Sequence, residues 1–362
     1  MAAKIDVSSL TLNAKENPDF MKFVFERVFE QPELTTIHRI WPGITMQEQI
    51  VFASVLDKVG IADASCARPN SGATATMTQK YWAPANIGDS LINCQPDVNA
   101  LFKAYYDKIK RYEEKFDITG SDQEKYLMVI YIDAISKAIK RHAWFGDTSV
   151  AIANAGAAGT TGAALNKYYS VIDGIWKEVF AAVGALSTDL QRYTITENAE
   201  ITTVAQLDLA DGRAEEIFEA VWNLADSRLR NDTNAKMMVT RQLWENYRKD
   251  LQKRSSENYK IELLTDGLKS IRWNGIDVVN METIWDKDLY EDFYDNTENN
   301  AYYLPNRVLF TVPDNIPIGT LNDNDFTEMD SWYEKLTRQN HMTFGFTLDA
   351  KLLENYMAVT AY

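Results

Sequence analysis

The order in which three segments follow one another limits what this chain can fold into. A half-exposed β-rich arm over about 46–95 is followed by a capped amphipathic helix over about 121–143, and then by Trp144-Phe145-Gly146-Asp147 and an Ala/Gly-rich stretch. In the arm, Ile50, Phe52 and Val55 lie in one apolar run and Ala73 to Trp82 in a second, with Thr74, Thr76, Thr78 and Lys80 on one face at period two. Between the runs, Arg68-Pro69-Asn70-Ser71-Gly72 is a cluster of turn formers that predicts a hairpin tip. Two strands of about 10 residues extend about 33 Å. A two-stranded hairpin is marginal alone, so this one must lie on something, either its own sheet or another subunit.

The helix is the best-signalled element. Ser121 and Glu124 form a capping-box pattern, Asp122 sits near the positive end of the dipole, and Lys137, Lys140, Arg141 and His142 fall in the last turns. Leu127, Tyr131, Ala134, Ile135 and Ala138 share one face, widened by Ile130, Ile132 and Ile139. At about 22 residues it is a strut of about 33 Å. His142, in a chain whose other histidines are His38 and His341, reads as a cap or core residue and not as a base. The stretch Asn154 to Gly162 lacks the G-K-[ST] ending of a P-loop and the G-x-G-x-x-G of a dinucleotide fold, and reads as a flexible connection. Upstream, Phe20, Phe23, Val24 and Val28 suit one helical face, either docked on its own core or reaching a neighbour.

Later segments imply a second lobe. Asp211 is placed to cap a helix carrying Ile217, Phe218, Val221, Ala225 and Leu229, and Leu243, Trp244, Tyr247 and Leu251 mark another. Asn274-Gly275 between Ile271-Arg272-Trp273 and Ile276 to Val279 is a strong hairpin signal. Leu309 to Val312 and Phe344 to Leu348 supply late strands, with Asn315 to Gly319 as a turn between them.

The 362 residues, 46% apolar and 12% aromatic, can fill one large or two medium cores. No apolar run approaches about 18 residues and Met1-Ala2-Ala3-Lys4 lacks a secretory apolar core, so synthesis in the cytoplasm with no membrane partner is expected. Cys66 and Cys94 form no C-x-x-C pair and read as structural thiols. A net charge of -15 argues against a nucleic-acid-binding surface, so contact with DNA should be loose.

Two acidic clusters compete as sites. Asp286, Asp288, Glu291, Asp292 and Asp295 lie among Trp285, Tyr290, Phe293 and Tyr294, a mixture that a glycosidase uses for paired carboxylates beside a sugar platform. Asn322 to Asp325, with Glu328 and Asp330, offers oxygen ligands but lacks EF-hand spacing, and reads as a polar turn. In an acidic chain such runs are usually solvated faces. No catalytic, cofactor-binding or metal-binding residue is assigned, and no enzymatic activity is expected.

The chain resembles a tailed-phage major capsid protein of the α+β Johnson fold, shared with encapsulins. The resemblance rests on the leader, the hairpin ending near Tyr81-Trp82-Ala83-Pro84, the helix closing in Trp144-Phe145-Gly146-Asp147, and the segment Trp273 to Val279. It also draws on the run from Leu304-Pro305-Asn306-Arg307 through Asn315 to Gly319, and the ending Met357 to Tyr362. It implies an N-terminal arm at 1–45 and an extended loop at 46–95 lying over a neighbouring subunit. A peripheral domain at 96–165 and 326–362, with the long helix as its spine, and an axial domain at 166–325 complete the division. It implies pentamers and hexamers closing into an icosahedral shell around DNA, with Arg68, Lys80 and Trp82 as inter-subunit contacts on the arm. The short segment before the arm suggests a separate scaffold protein, beside a portal, as partners. The location implied is the virion capsid, and the host cytoplasm during assembly. The other readings are an encapsulin-like compartment, a tail or other virion binding protein, and a soluble hydrolase using 285–295.

Overall fold

The strand Val308–Thr311 is buried along its whole length, because it runs near the centre of a seven-stranded mixed sheet covered on both faces. The order across that sheet is Gln191–Tyr193, Ala358–Ala361, Val308–Thr311, Lys236–Val239, Ile276–Asn280, Lys269–Trp273 and Glu262–Leu263. This computed structural model describes residues 32–53, 77–94, 122–150, 165–186, 189–254, 262–263, 269–295, 301–321, 328–337 and 339–362.

Side chains alternate between the faces of a strand, and here each face meets a different core. Met238, Val279, Leu309 and Ala358 join a core built on the helix Asp122–Phe145. Met237, Val239, Val278, Val308, Phe310, Val359 and Ala361 join a second core under the helices Arg213–Leu224 and Arg241–Arg254. Contiguous apolar runs such as Met237-Met238-Val239 follow from burial on both faces, where a half-solvated strand would alternate.

The Asn274-Gly275 hairpin forms where the sequence places it, with both turn residues at positive φ (48° and 84°). The helix expected to start at Asp211 starts at Arg213, and Asp211 does not cap it. The Gly212 N–H donates to Asp250 Oδ2 at 2.7 Å and the Ala214 N–H to Asn246 Oδ1 at 3.1 Å, so the following helix supplies the acceptors. Asp211 instead pairs with Lys253. That helix also ends at Leu224, and Leu229 sits on a separate turn capped by Asp226.

The long helix runs two residues past its expected end and takes Trp144 and Phe145 into its last turn. Its buried stripe is Tyr131, Ile132, Ile135, Ile139, His142 and Ala143. Ala134, expected inside, is exposed, since the face turns towards Ile132 and Ala143. Trp144 packs on Trp285 and His38, both at 5.0 Å between rings, and on Trp176 at 6.3 Å. The helix stops at Gly146 because the chain at 172–174 crosses there. A Cβ on Gly146 would lie 2.5 Å from the Ile172 carbonyl oxygen and 2.6 Å from that of His142.

A second sheet is organised by the long strand Gln339–Ala350, which pairs with Ala85–Cys94 on one side and Glu328–Glu334 on the other. Its end pairs with Ile318–Gly319, which runs parallel to Ile40–Trp41. One face rests on the long helix, with Phe344 against Tyr131 at 5.4 Å.

The last strand leaves the long-strand sheet. Ala358–Ala361 crosses into the seven-stranded sheet, between Val308–Thr311 and Gln191–Tyr193. The reason is apolar complementarity: Val359 and Ala361 fill the same core face as Val308 and Phe310.

Candidate assembly surfaces

The root of the arm is described and its tip is not. Gln49–Ala53 pairs antiparallel with Met77–Tyr81, Gln49 opposite Tyr81 and Ala53 opposite Met77, as the two apolar runs require. Arg68 and the Arg68-to-Gly72 turn, Cys66, Ser121 of the capping box, the helix at 20–28, the Gly-rich stretch 154–162 and the turn 322–325 lie outside the described residues.

Lys80 and Trp82 are engaged by their own chain. Trp82 is 1% exposed and forms a small core with Ile44 and Ile50, against Trp41 at 5.8 Å between rings. Gly319 lies beneath the indole, so close that a Cβ there would fall 2.8 Å from Trp82 Cζ3. The Lys80 ammonium donates to the Leu352 carbonyl and lies 3.8 Å from Glu178. Burial pulls its pKa below the ordinary lysine value, against the opposing attraction of Glu178. Beside it the Ala83 N–H donates to Asp349 Oδ2 at 2.7 Å. These contacts fasten the arm to its own body and leave other side chains facing outward: Val51, 53% exposed, Tyr81, 46% exposed, and Met46.

A second outward surface lies on the face of the long-strand sheet turned away from the helix. Register aligns Ile92, His341 and Trp332 in one cross-strand row. The Trp332 ring stacks on His341 at 5.0 Å, nearly parallel, and Ile92 and Trp332 are 52% and 41% exposed. A third comprises Ile201, Val204 and Tyr303, all exposed. Beneath it, buried amides lock two loops together. Asn198 Nδ2 donates to the Asn306 carbonyl at 2.8 Å, Asn306 Nδ2 to the Gln206 carbonyl at 2.7 Å, and the Tyr302 N–H to Gln206 Oε1 at 2.8 Å. Outward apolar groups in separate places suit association with partners.

The acidic-aromatic region serves the core. Trp285 and Leu289 are buried, and the Tyr169 hydroxyl lies between two carboxylates, its single proton shared between Asp288 Oδ1 at 2.8 Å and Asp292. Asp286 faces Arg241 Nε at 3.2 Å. Burial raises the pKa of both Asp286 and Asp288 to about 6. No group of three or more His, Cys, Asp or Glu among the described residues is placed to hold a metal ion. No helix among them is long and apolar enough to cross a membrane.

Sequence reasoning did not single out Pro32–Ile37, whose Leu34 and Ile37 are fully buried, nor His38, whose ring nitrogen Nδ1 lies 2.8 Å from the Ile316 carbonyl oxygen. Leu34 and Ile37 at i, i+3 were the available signal. The buried Arg307 was also missed; it lies among Phe145, Trp176, Phe180 and Tyr303, its Nε donating to the Leu304 carbonyl at 2.8 Å.

No sequence-family model matches the chain, and no curated protein matches it by sequence. Solved structures do match by shape. The capsid of a native GTA particle aligns over 91% of this chain and 89% of its own, at 12% identity and a TM-score of 0.54. A chain from Mycobacterium phage Ogopogo aligns over 91% and 90%, at 10% identity and a TM-score of 0.50. With these extents and the two-core α+β architecture, the chain has the Johnson fold of phage capsid proteins.

Proposed function

We propose that this chain is the major capsid protein of a tailed bacteriophage, assembling through pentamers and hexamers into an icosahedral shell that encloses DNA. The observation that carries this reading is a capsid-protein fold spanning nine-tenths of the chain. The arm supports it: its root is anchored by Lys80 and Trp82, and among the described residues Val51, Tyr81 and Met46 stay exposed. On this reading 46–95 overlaps the neighbouring subunit, Arg68 and Lys80 lie on the overlapping loop, Trp82 sets its angle of departure, and 1–45 reaches a neighbour. The body 96–165 and 326–362 is peripheral, and 166–325 is axial, with the final strand Ala358–Ala361 joining the two through its sheet pairing. A specific interface buries on the order of 1,600 Å², and several around each subunit make stability collective. The role is structural and needs no cofactor. The remaining partners are a scaffold protein and a portal. The protein resides in the virion capsid after assembly in the host cytoplasm.

The test is size-exclusion chromatography with light scattering on the full chain, with and without its scaffold, followed by negative-stain microscopy of the largest fraction. Rings or closed shells of uniform diameter are expected. Tubes, or a monomer that persists with scaffold present, overturn the reading. Particles holding protein cargo and no nucleic acid would identify an encapsulin-like compartment instead.

A further inference from the structure

Arg141, near the end of the long helix, makes no close ion pair among the described residues, Asp288 being the carboxylate that feels its charge. Its guanidinium stands 5.4 Å from the Tyr168 ring centre and 5.9 Å from that of Tyr169. No hydrogen bond or ion pair reaches it from the described residues, and its Nε is fully buried without a partner. Lys167 Nζ lies 4.8 Å from the Tyr168 ring, on an exposed side chain. Lys287 is also exposed and ends the helix Glu282–Lys287, next to Asp288. Asp288 in turn holds the Tyr169 hydroxyl and feels the positive charge of both Arg141 and Lys287. Nearby cations are neutralised within the chain, Lys137 by Asp133 at 2.6 Å and Lys177 by Asp147 at 2.8 Å. Among the described residues no carboxylate forms an ion pair with Arg141, Lys167 or Lys287, although the chain as a whole carries -15.

We propose that Arg141 and Lys167, which share the Tyr168 ring, together with Lys287 beside Asp288, form the contact through which this chain holds the phosphate backbone of double-stranded DNA. The shell reading above supplies the DNA. Two arguments select a phosphate backbone over an acidic segment of another protein. The patch exposes one large apolar side chain, Tyr168, and a protein interface needs a dehydrated apolar centre. Contacts to phosphates need only cations and N–H donors. Charge also confines the contact, since a strongly acidic surface elsewhere repels the duplex. Three cations give a weak, salt-labile grip for one subunit, with a log–log salt slope near -2.7 from about -0.9 per phosphate. Repetition over many subunits makes it cumulative.

The test is a lysine acetylation footprint of the full-length protein with a short DNA duplex, read by mass spectrometry, with exposed Lys335 as the internal control. Several-fold slower modification of Lys167 and Lys287 is expected at about 20 mM salt, lost at about 200 mM, with Lys335 unchanged. Arg141→Gln and Arg141→Glu should both lift the protection, and the unchanged thermal melting of Arg141→Gln shows that the fold is kept. No protection, equal protection at Lys335, or protection by poly-glutamate but not by the duplex overturns the proposal. Particles that form while these lysines stay fully reactive refute the patch and leave the shell reading standing. Failure of assembly refutes the shell reading, and the footprint still reads the patch.

Discussion

Gly319→Ala should unseat the base of the arm. A Cβ built on Gly319 falls 2.7 Å from Ile44 Cδ1, 2.8 Å from Trp82 Cζ3 and 3.0 Å from Trp82 Cε3. Ordinary carbon contacts are about 3.5–4.0 Å, so the gap must open by about 1 Å. The Ile44 methyl can rotate aside. The indole cannot, because Trp82 is 1% exposed with Trp41 packed beside it, and Gly319 is fixed by pairing with Trp41 and Asp349. Overpacking of this kind costs about 1–3 kcal/mol. At about 2.1 cal/mol/K per residue, 362 residues give about 0.76 kcal/mol/K, so Tm falls by about 1–4 °C. Trp82→Phe narrows the ring that collides and costs stability by itself. In the double variant the two losses should sum to less than their separate values by at least about 0.5 kcal/mol. Calorimetric melting of the four proteins decides it. An unshifted Gly319→Ala, or strictly additive losses, would show that Gly319 and Trp82 do not meet as described.

Three further outcomes follow from buried charge. Arg307 is enclosed by four rings and burial lowers its pKa to about 10; Arg307→Ala should cost about 2–4 kcal/mol in denaturant unfolding, since it leaves the Tyr303 and Leu304 carbonyls without donors as well as a void. His142 is kept neutral by burial first and by Arg141 second, its pKa about 4 against 6.5. The unfolded chain therefore binds the proton more readily, and the contribution of His142 is complete above pH 6.5 and lost as pH falls through about 4. At about 1.36 kcal/mol per unit, the 2.5-unit difference is worth ~3 kcal/mol, so His142→Gln should gain on the parent by that order between pH 6.5 and 4 in paired thermal scans. Asp286 has the opposite sign: its pKa is raised to about 6, so its contribution is present below 3.8 and lost as pH rises through 6. Asp286→Asn should melt higher than the parent at pH 7, by up to ~3 kcal/mol with the attraction of Arg241 already included, and lose that advantage near pH 4.

Strong local patterns carried most of what the sequence reveals. The long helix, the Asn274-Gly275 turn, the helix at Leu243 to Leu251 and both strands at the arm root form where period and turn chemistry place them. Local signals misled where the deciding partner is distant. Asp211 has the right chemistry for a cap, but the acceptors come from Asn246 and Asp250 on another helix. The acidic-aromatic run reads as a site because sequence hides that Tyr169, more than a hundred residues away, takes up two of its carboxylates. Trp82 and Lys80 stood out as arm residues, and the groups that claim them, Gly319, Glu178 and Leu352, are likewise remote. The cross-strand row of Ile92, His341 and Trp332 depends on register between three strands, which no single segment encodes.

On the shell reading, folding and association should be carried by different residues, and that separation can be tested. The two cores are filled by side chains with almost no exposure, whereas Val51 and Trp332 are half exposed on the arm and on the open sheet face. Replacing either by serine should change monomer stability by about 0.5 kcal/mol or less, as for surface positions generally. If each loses about 60–100 Å² of apolar contact in the assembly, at about 25 cal/mol/Å² the loss is about 1.5–2.5 kcal/mol per interface, which repetition over a shell amplifies. Val51→Ser and Trp332→Ser should therefore melt like the parent and raise the concentration at which rings appear in light scattering. Where the two surfaces touch across subunits, the double variant should lose less than the sum of the single losses, because one contact cannot be lost twice. Additive losses would place Val51 and Trp332 in separate interfaces, and unaltered assembly in both would remove these surfaces from the shell.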